Sequence, residues 1–520
     1  MNAIDLEIFN KLFAAVAEEM GIVLRRSAFS PNIRERCDFS CAVFDNEGEL
    51  VAQASHIPVH LGAMPATIQS VLPQFDWQPG DVVITNDPFS GGTHLPDVTL
   101  IKPVFMEDKL SFFLISRAHH ADIGGRYAGS MAVSTHIDEE GIRIVPTYLL
   151  RRGRLEKNFL ETLLKRLRNP QERRGDFEAQ MASLWRGEMR LKEMERHYGL
   201  KKLKQMSQVL KQYSEMAMLT LIQKMPSGKF SFTDYLDDDG IETKDIPIRA
   251  EICFAQKEVL IDFSKSAPQV KGSVNAPRAV TQAAVYYVFL CLLNSLGAYP
   301  VNHGCLRPLK IITTPGTVVD AQYPAAVAAG NVETSQRIVD ALFGALAQAC
   351  PDLVPAASCG SMNNVAIGTQ TFTYYETIGG GMGARPNKDG LSGVHTHMTN
   401  TLNTPIEALE HDYPFMVERY ALRPNSGGKG QYQGGDGLIR QYYFQTSATV
   451  TLLTERRRHA PYGLAGGEPG ARGENYLIRE GQKCCLPGKV NIEVHSGDRL
   501  VIVTPGGGGW GKAANKGEDR

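Results

Sequence analysis

The sequence predicts a mixed α+β fold with largely antiparallel sheets, a helical middle segment and a glycine-rich C-terminal β region. Three observations predict it. β-Forming runs separated by short turns fill the N-terminal part, where DVVIT, VTLIKPVF and KLSFFLIS follow one another between residues 81 and 117. Residues 155–225 are dominated by Lys, Arg, Glu, Met and Leu. Beyond about residue 375, glycine clusters alternate with short strand-like runs. Strands and helices come in blocks, which argues against a regular βαβ series.

At the N-terminus, Ile8, Phe9, Leu12, Phe13 and Val16 recur at helical spacing with Glu and Lys between them, as in an amphipathic helix. Residues 38–53 (DFSCAVFDNEGELVAQ) read as a hairpin turning at Asp-Asn-Glu-Gly. The runs at 81–86, 98–105 and 110–117 read as three consecutive strands. Helices follow through FLETLLKRLRN, FEAQMASLWRGEMRLKEMERH and KKLKQMSQVLKQYSEMAMLTLIQKM. Their methionines suit core filling, and their charges suit a solvated face. Strands resume at KFSFTDYLDDDG, IRAEICF and EVLIDFS, and helices at 277–297 and 333–349. Short strands such as ATVTLLTE then separate the glycine loops. These shifts divide the chain at about 1–150, 151–226, 227–374 and 375–520, as separate regions or as parts of one two-lobed body.

The composition, 43% hydrophobic and 21% charged over 520 residues, is that of an ordinary soluble globular protein. A net charge of −1 excludes broad electrostatic attraction to nucleic acid or an anionic membrane. The first helix lacks the basic region and uninterrupted apolar core of an export signal. No run approaches the ~20 apolar residues of a membrane span, so a cytoplasmic location is expected. The nine cysteines are odd in number and form no repeated framework, as expected of reduced thiols. Vicinal Cys484 and Cys485 lack ligand-spaced partners. No G-x-x-x-x-G-K-[ST] pattern occurs, and no G-x-G-x-x-G joins a clear strand to a helix. The glycine loops are expected to form tight turns, which leaves any nucleotide to another chain.

The loop TNDPFSGGTHLPDVT (85–99) carries the densest chemistry. If the three strands form an antiparallel meander, residues 87–97 share one sheet edge with RAHHADIGG, which follows the third strand. Asp87, His94 and Asp97 then approach His119, His120 and Asp122. The hairpin can add Asp38 at the start of one arm, and HIPVH, with His56 and His60, after the other. Imidazoles with carboxylates suit Zn, Mn or Fe(II). A catalytic metal needs three or four protein ligands and an open position for water. The alternative is histidines bonded to backbone and aspartates in Asx-turns. In a continuing strand, His119 and His120 point to opposite faces, and only a bend at Ala118 would let both bind one ion. Elsewhere, GVHTHMTNTLNTPIEALE holds His395, His397 and Asn400. These form a second metal site, a substrate loop or simple turn contacts. LDDDG (236–240) lacks the spacing of a Ca²⁺ loop and reads as a turn.

NDPFSGGTHLPDVTLIKPVF followed by AHHADIGG resembles the signature of the hydantoinase B/5-oxoprolinase family. The similarity runs nearly end to end, through LRRSAFSPNIRERCDFSCAVFD, VAQASHIPVHLGAMP, PQVKGSVNAP, GNVETSQRIVDAL, HTHMTNTLNTPIEALE, RPNSGGKGQYQGGDGLIRQ and TPGGGGWG. The resemblance implies the B-type chain of an ATP-dependent cyclic-amide hydrolase opening 5-oxoproline, hydantoins or lactams. It implies ATP and Mg²⁺ on an actin-like A-type partner, and hence a hetero-oligomer. It also implies a divalent metal, with Asp38, His94, Asp97, His119, His120 and Asp122 as the matching positions. Which of His119 and His120 is the ligand stays open. Asp97, Asp122 and His120 are the candidates for catalytic roles, and Arg385, His395, His397 and Asn400 for substrate contacts. The alternative activity is that of a subunit of an ATP-dependent ketone carboxylase of the acetone or acetophenone type.

Overall fold

A computed structural model describes residues 3–54 and 56–513. Helix α1 (Ala3–Ser27) buries Phe9, Phe13, Val16, Met20 and Leu24 along one stripe, and a short α2 (Pro31–Arg34) follows. Next come β1 (Phe39–Asp45), β2 (Leu50–Gln53), α3 (Pro58–Val71), β3 (Val82–Thr85), β4 (Asp97–Met106), β5 (Lys109–His119), α4 (Ile137–Glu140), β6 (Thr147–Arg151) and β7 (Arg154–Leu155). The seven strands form one antiparallel sheet in the order β2-β1-β5-β4-β3-β6-β7. Both faces are covered, which is why β4 and β5 read as nearly continuous apolar runs. Alternate side chains divide between two cores. Val43, Leu100 and Leu114 pack with α1 and the helices that follow, whereas Phe44, Ile101 and Phe113 pack with Met64 and Ile68 of α3.

Helices α5 (Lys157–Leu164), α6 (Pro170–Tyr198) and α7 (Leu200–Lys224) form the middle segment. They share the core of the first sheet, to which they contribute Phe177, Leu184, Leu191 and Leu203. A second sheet, β11-β10-β9-β8, combines β8 (Gly228–Asp238), β9 (Lys244–Phe254), β10 (Val259–Asp262) and β11 (Leu309–Ile312), with only β10–β11 parallel. Helices α8 (Arg278–Asn294) and α9 (Ser335–Ala349) share the core of this sheet, and α8 also packs against α3. A π-helical turn, Gly330–Thr334, leads into α9. No helix among the described residues is long and apolar enough to cross a membrane.

The C-terminal region contains β12 (Asn364–Gly368), β13 (Thr373–Glu376), α10 (Ile406–Asp412), β14 (Phe415–Leu422), β15 (Leu438–Phe444), β16 (Ala448–Leu453), β17 (Glu474–Arg479), β18 (Gln482–Leu486), β19 (Lys489–Val494) and β20 (Arg499–Val503). Sheets β13-β12-β16-β19 and β14-β15-β20-β17-β18 enclose a third core around Ile367, Tyr442, Val450 and Ile502. The expectation of tight turns at every glycine cluster is corrected here. Gly507 and Gly508 belong to extended segments laid against other backbone, with Gly508 N donating to Ala357 O at 2.8 Å and Gly428 N to Gly507 O at 2.8 Å. A Cβ at Gly508 would collide with the Tyr462 carbonyl, and one at Gly507 with that of Met382. Close backbone approach is what requires glycine at these two positions.

Candidate metal centre

Asp97 begins β4 and His119 ends β5, and the two are paired across the ladder. β1 pairs with the other edge of β5, Phe39 opposite Ala118. The His119 amide donates to Asp38 O at 2.9 Å, so Asp38 joins the same sheet end. His94 lies in the loop entering β4, where Asp97 N donates to His94 O at 3.1 Å. His60 occupies the first turn of α3, a helix opened by Pro58.

Three imidazoles converge on one carboxylate oxygen. Asp97 Oδ1 lies 3.1 Å from His94 Nε2, 3.2 Å from His60 Nε2 and 3.3 Å from His119 Nδ1. His94 Nε2 and His119 Nδ1 are themselves 3.2 Å apart. All four residues are at most 2% exposed. Asp38 borders the cluster, its Oδ1 3.9 Å from His60 Nε2 and its Oδ2 3.7 Å from Arg36 Nη2.

The surroundings orient these groups. Asp97 Oδ2 accepts from Thr93 Oγ1 at 2.5 Å and from Asn331 Nδ2 at 3.4 Å. His94 Nδ1 is 3.3 Å from Ala328 O. A carbonyl can only accept, so Nδ1 carries a proton, and Nε2 is the nitrogen that could offer a lone pair to an ion. Glu140 holds that carbonyl's segment by accepting from Val327 N and Ala328 N. The His119 ring stacks on Tyr375 at 4.7 Å, and Tyr375 OH donates to Asn364 Oδ1 at 2.6 Å.

Burial opposes the Asp97 charge, but His60 and His94 hold its carboxyl well below the usual range. Burial also disfavours protonated His94, yet Asp97 reverses this and raises its pKa. At His119 burial prevails and lowers it. Ligand atoms at ~2.1 Å from a shared cation lie roughly 3.0–3.4 Å from one another, and the observed separations match. His94, Asp97 and His119 therefore fit a divalent ion, with His60 and Asp38 at its margin. His119 Nε2 and Asn331 Oδ1 have no hydrogen-bond partner among the described residues.

His120 and Asp122 are not brought to this cluster. The extended end of β5 turns His120 to the opposite face. There its Nε2 meets Gln180 Oε1 at 3.0 Å, its ring packs on Phe177 at 4.5 Å, and burial pushes its pKa down to about 4. Asp122 accepts from Gly124 N at 2.9 Å and pairs with Arg168 at 2.8 Å. That is the Asx-turn arrangement. Asp87 caps its own turn, accepting from Phe89 N at 3.1 Å. Of the three candidates for catalytic roles, only Asp97 faces the cluster.

Asp38, His60, His94 and His119 line a cavity with a volume of ≈ 20 Å³, together with Asn331, Tyr375 and Thr399, which is room for about one water. Thr399 also lines a neighbouring cleft of ≈ 760 Å³. Arg385, His395, His397 and Asn400 all border that cleft, so the four substrate-contact candidates come together beside the centre.

The hydantoinase B/oxoprolinase family model matches residues 2–513. The chain belongs to the hydantoinase B/oxoprolinase family. It is 42% identical to 5-oxoprolinase 1 of Arabidopsis thaliana over 98% of this chain, and it spans only 42% of that protein's length. It is 33% identical to the B-type chain of a putative D-/L-hydantoinase of Pseudomonas sp. (strain NS671), covering 95% of this chain and 88% of that one. Among solved structures, an ATP-dependent caprolactamase from Pseudomonas jessenii superposes with a TM-score of 0.90 at 27% identity, over 98% of this chain and 91% of that one. A nucleotide-free acetone carboxylase gives 0.88 at 16% identity, over 98% and 75%, a likeness of fold alone.

In this family member two residues of the centre escape the sequence-based ligand set. His60 carries a signal, since HIPVH follows the second arm of a hairpin whose first arm begins at Asp38. Asn331 falls within the GNVETSQRIVDAL motif, but nothing local marks it as part of the centre. It lies 234 residues from Asp97 and reaches it only because the π-helical turn before α9 packs on the end of the first sheet.

Proposed function

We propose that this chain is the metal-holding subunit of an ATP-dependent cyclic-amide hydrolase that works with a nucleotide-binding A-type partner. The convergence of His60 Nε2, His94 Nε2 and His119 Nδ1 on Asp97 Oδ1 carries the reading. A divalent ion bound there would supply Lewis acidity and acidify a water at neutral pH. Asp97, His94 and His119 would hold the ion. His60, whose Nε2 lies 3.2 Å from Asp97 Oδ1, is placed to take a proton at Nε2 from a water held beside Asp97. Asp122 is committed to Arg168 and is left out of the chemistry.

An unstrained amide is a poor electrophile, so the partner would activate its oxygen with ATP and Mg²⁺ before water attack in this subunit. The ≈ 20 Å³ cavity has room for about one water beside these residues, and the ≈ 760 Å³ cleft next to it has room for a ring, which supports that division. The names of the oxoprolinase and caprolactamase relatives favour ring opening, whereas the likeness to acetone carboxylase is of fold alone, so the ketone carboxylase reading is set aside.

The test is reconstitution with the A-type chain and measurement of ATP hydrolysis with 5-oxoproline, hydantoins and small lactams. Ring-dependent turnover without bicarbonate is expected, lost in H94A together with the bound metal. Full turnover in H94A, or consumption of ATP only with a ketone and bicarbonate, would overturn the proposal.

A further inference from the structure

His119 and His94 differ in how their rings are held. His94 Nδ1 has Ala328 O at 3.3 Å, a fixed acceptor outside the cluster. His119 has no such anchor. Its Nδ1 lies 3.3 Å from Asp97 Oδ1 and 3.2 Å from His94 Nε2, while its Nε2 is buried without a hydrogen-bond partner among the described residues. A metal-binding imidazole is ordinarily oriented by a hydrogen bond from its second nitrogen. At His119 another ring takes that place. Tyr375 stacks on the imidazole at a centroid distance of 4.7 Å, with 11° between the planes. Twisting the imidazole about its Cβ–Cγ bond would break this parallel contact.

Tyr375 is itself fixed from several directions. It belongs to β13, opposite Ala366 of β12, and is buried. Its OH donates to Asn364 Oδ1 at 2.6 Å, its carbonyl accepts from Arg36 Nη1 at 3.1 Å, and the Arg36 guanidinium lies over its ring at 4.8 Å. Asn364 Nδ2 donates in turn to Glu333 Oε1 at 2.7 Å and to Leu453 O at 2.9 Å. Glu333 shares the π-helical turn with Asn331, whose Nδ2 reaches Asp97 Oδ2 at 3.4 Å. One network therefore meets Asp97 through Asn331 and His119 through Tyr375. We propose that Tyr375 is a positioning residue: its ring presets the plane of His119 for metal binding, in place of a hydrogen bond to Nε2. This rests on the metal-centre reading above.

The test needs neither ATP nor turnover. The full chain is titrated with Co²⁺, whose visible absorption reports the arrangement of its ligands. Tyr375→Phe keeps the ring and loses only the hydroxyl, whereas Tyr375→Leu keeps apolar bulk and loses the stack. Tyr375→Leu is expected to bind Co²⁺ roughly 10–100-fold more weakly, the scale of losing an orienting contact, and with a changed spectrum. Tyr375→Phe should restore both affinity and spectrum. An unchanged affinity and spectrum in Tyr375→Leu, or equal losses in the two variants, overturns the proposal and leaves the metal centre standing. A second measurement uses the natural chain alone. Cross-ring NOEs between the His119 and Tyr375 protons are expected both without metal and with Zn²⁺. Their absence without metal would show that the tyrosine does not preset the ring, and overturns the proposal even where Tyr375→Leu fails to fold. A natural chain that takes up neither ion overturns the metal-centre reading and the proposal together.

Discussion

Asp97 and His119 stand opposite each other across the β4–β5 ladder, the first residue of one strand against the last of the next. Two ligand candidates are thus held by sheet pairing, with backbone on both sides to resist displacement. The Thr93 hydroxyl then fixes the rotation of the Asp97 carboxylate by donating to its far oxygen. Thr93→Val should leave the fold intact and weaken metal binding by about 10–100-fold, the usual effect of losing an orienting hydrogen bond. His119→Ala should abolish stoichiometric metal altogether. Chelator competition and elemental analysis check both, and natural metal affinity in either variant would remove the site.

His120 supplies the contrast. It is adjacent in sequence but faces Gln180 and Phe177, within the core of α6 and the first sheet. His120→Ala should therefore retain full metal content. It should cost about 1–3 kcal/mol of stability by leaving the Gln180 carbonyl buried without a donor. Urea unfolding alongside metal analysis separates the two effects, and loss of the metal with unchanged stability would reverse the assignment of the two histidines.

Much of this centre is legible in the sequence because antiparallel connections alternate between sheet ends. Strand runs at 81–117 suffice to bring the loop before Asp97 to the segment holding His119. The i, i+1 geometry of a strand already sets His119 and His120 apart. Other parts depend on packing that no local pattern encodes. Asn331 reaches Asp97 only through the docking of a π-helical turn. The β1 arm reads as part of a hairpin, but its pairing with β5, which delivers Asp38, is a long-range choice. The glycine runs mislead because a turn and a close backbone contact select the same residue. The Tyr462 and Met382 carbonyls that exclude side chains at Gly508 and Gly507 belong to distant segments.

Acid should destabilise the protein partly through His397. Its ring is buried, with Nδ1 3.3 Å from Tyr287 OH and Phe343 at 5.5 Å. Burial pushes its pKa from 6.5 to about 4, with Asp340 Oδ1 3.9 Å from Nε2. The unfolded chain then binds the extra proton first. Stability is full above about pH 6.5 and falls as the pH drops toward 4, by up to roughly 3 kcal/mol from this residue. Asn is the replacement of choice, because His397 has a left-handed φ of 57°, which Asn tolerates. His397→Asn should flatten the acid limb of stability against pH between 6.5 and 4. An unchanged slope would show that the ring protonates without cost.

A second set of buried charges joins α9 and the second sheet to the C-terminal sheet that contains β19. Lys489 of β19 places Nζ 2.5 Å from Glu455 Oε1, and Glu455 Oε2 lies 3.1 Å from Arg337 Nη2 of α9. Arg456 reaches Asp234 of β8 at 2.7 Å, and Arg337 reaches Asp340 at 3.1 Å. Burial disfavours the charge on Glu455, and Lys489 is the largest influence restoring it. Removing Lys489 alone strands that carboxylate beside a single remaining cation, and such a loss costs about 3–5 kcal/mol. Removing both partners leaves no carboxylate at 455 to strand, and Arg337 keeps Asp234 and Asp340 as partners. Lys489→Met and Glu455→Gln should therefore each be strongly destabilising, whereas the double variant should cost less than their sum by about 2 kcal/mol or more. Denaturant unfolding of the four proteins closes the cycle. Strict additivity would mean that the two side chains act independently, and that the α9 anchor leading back to Asn331 depends on apolar packing alone.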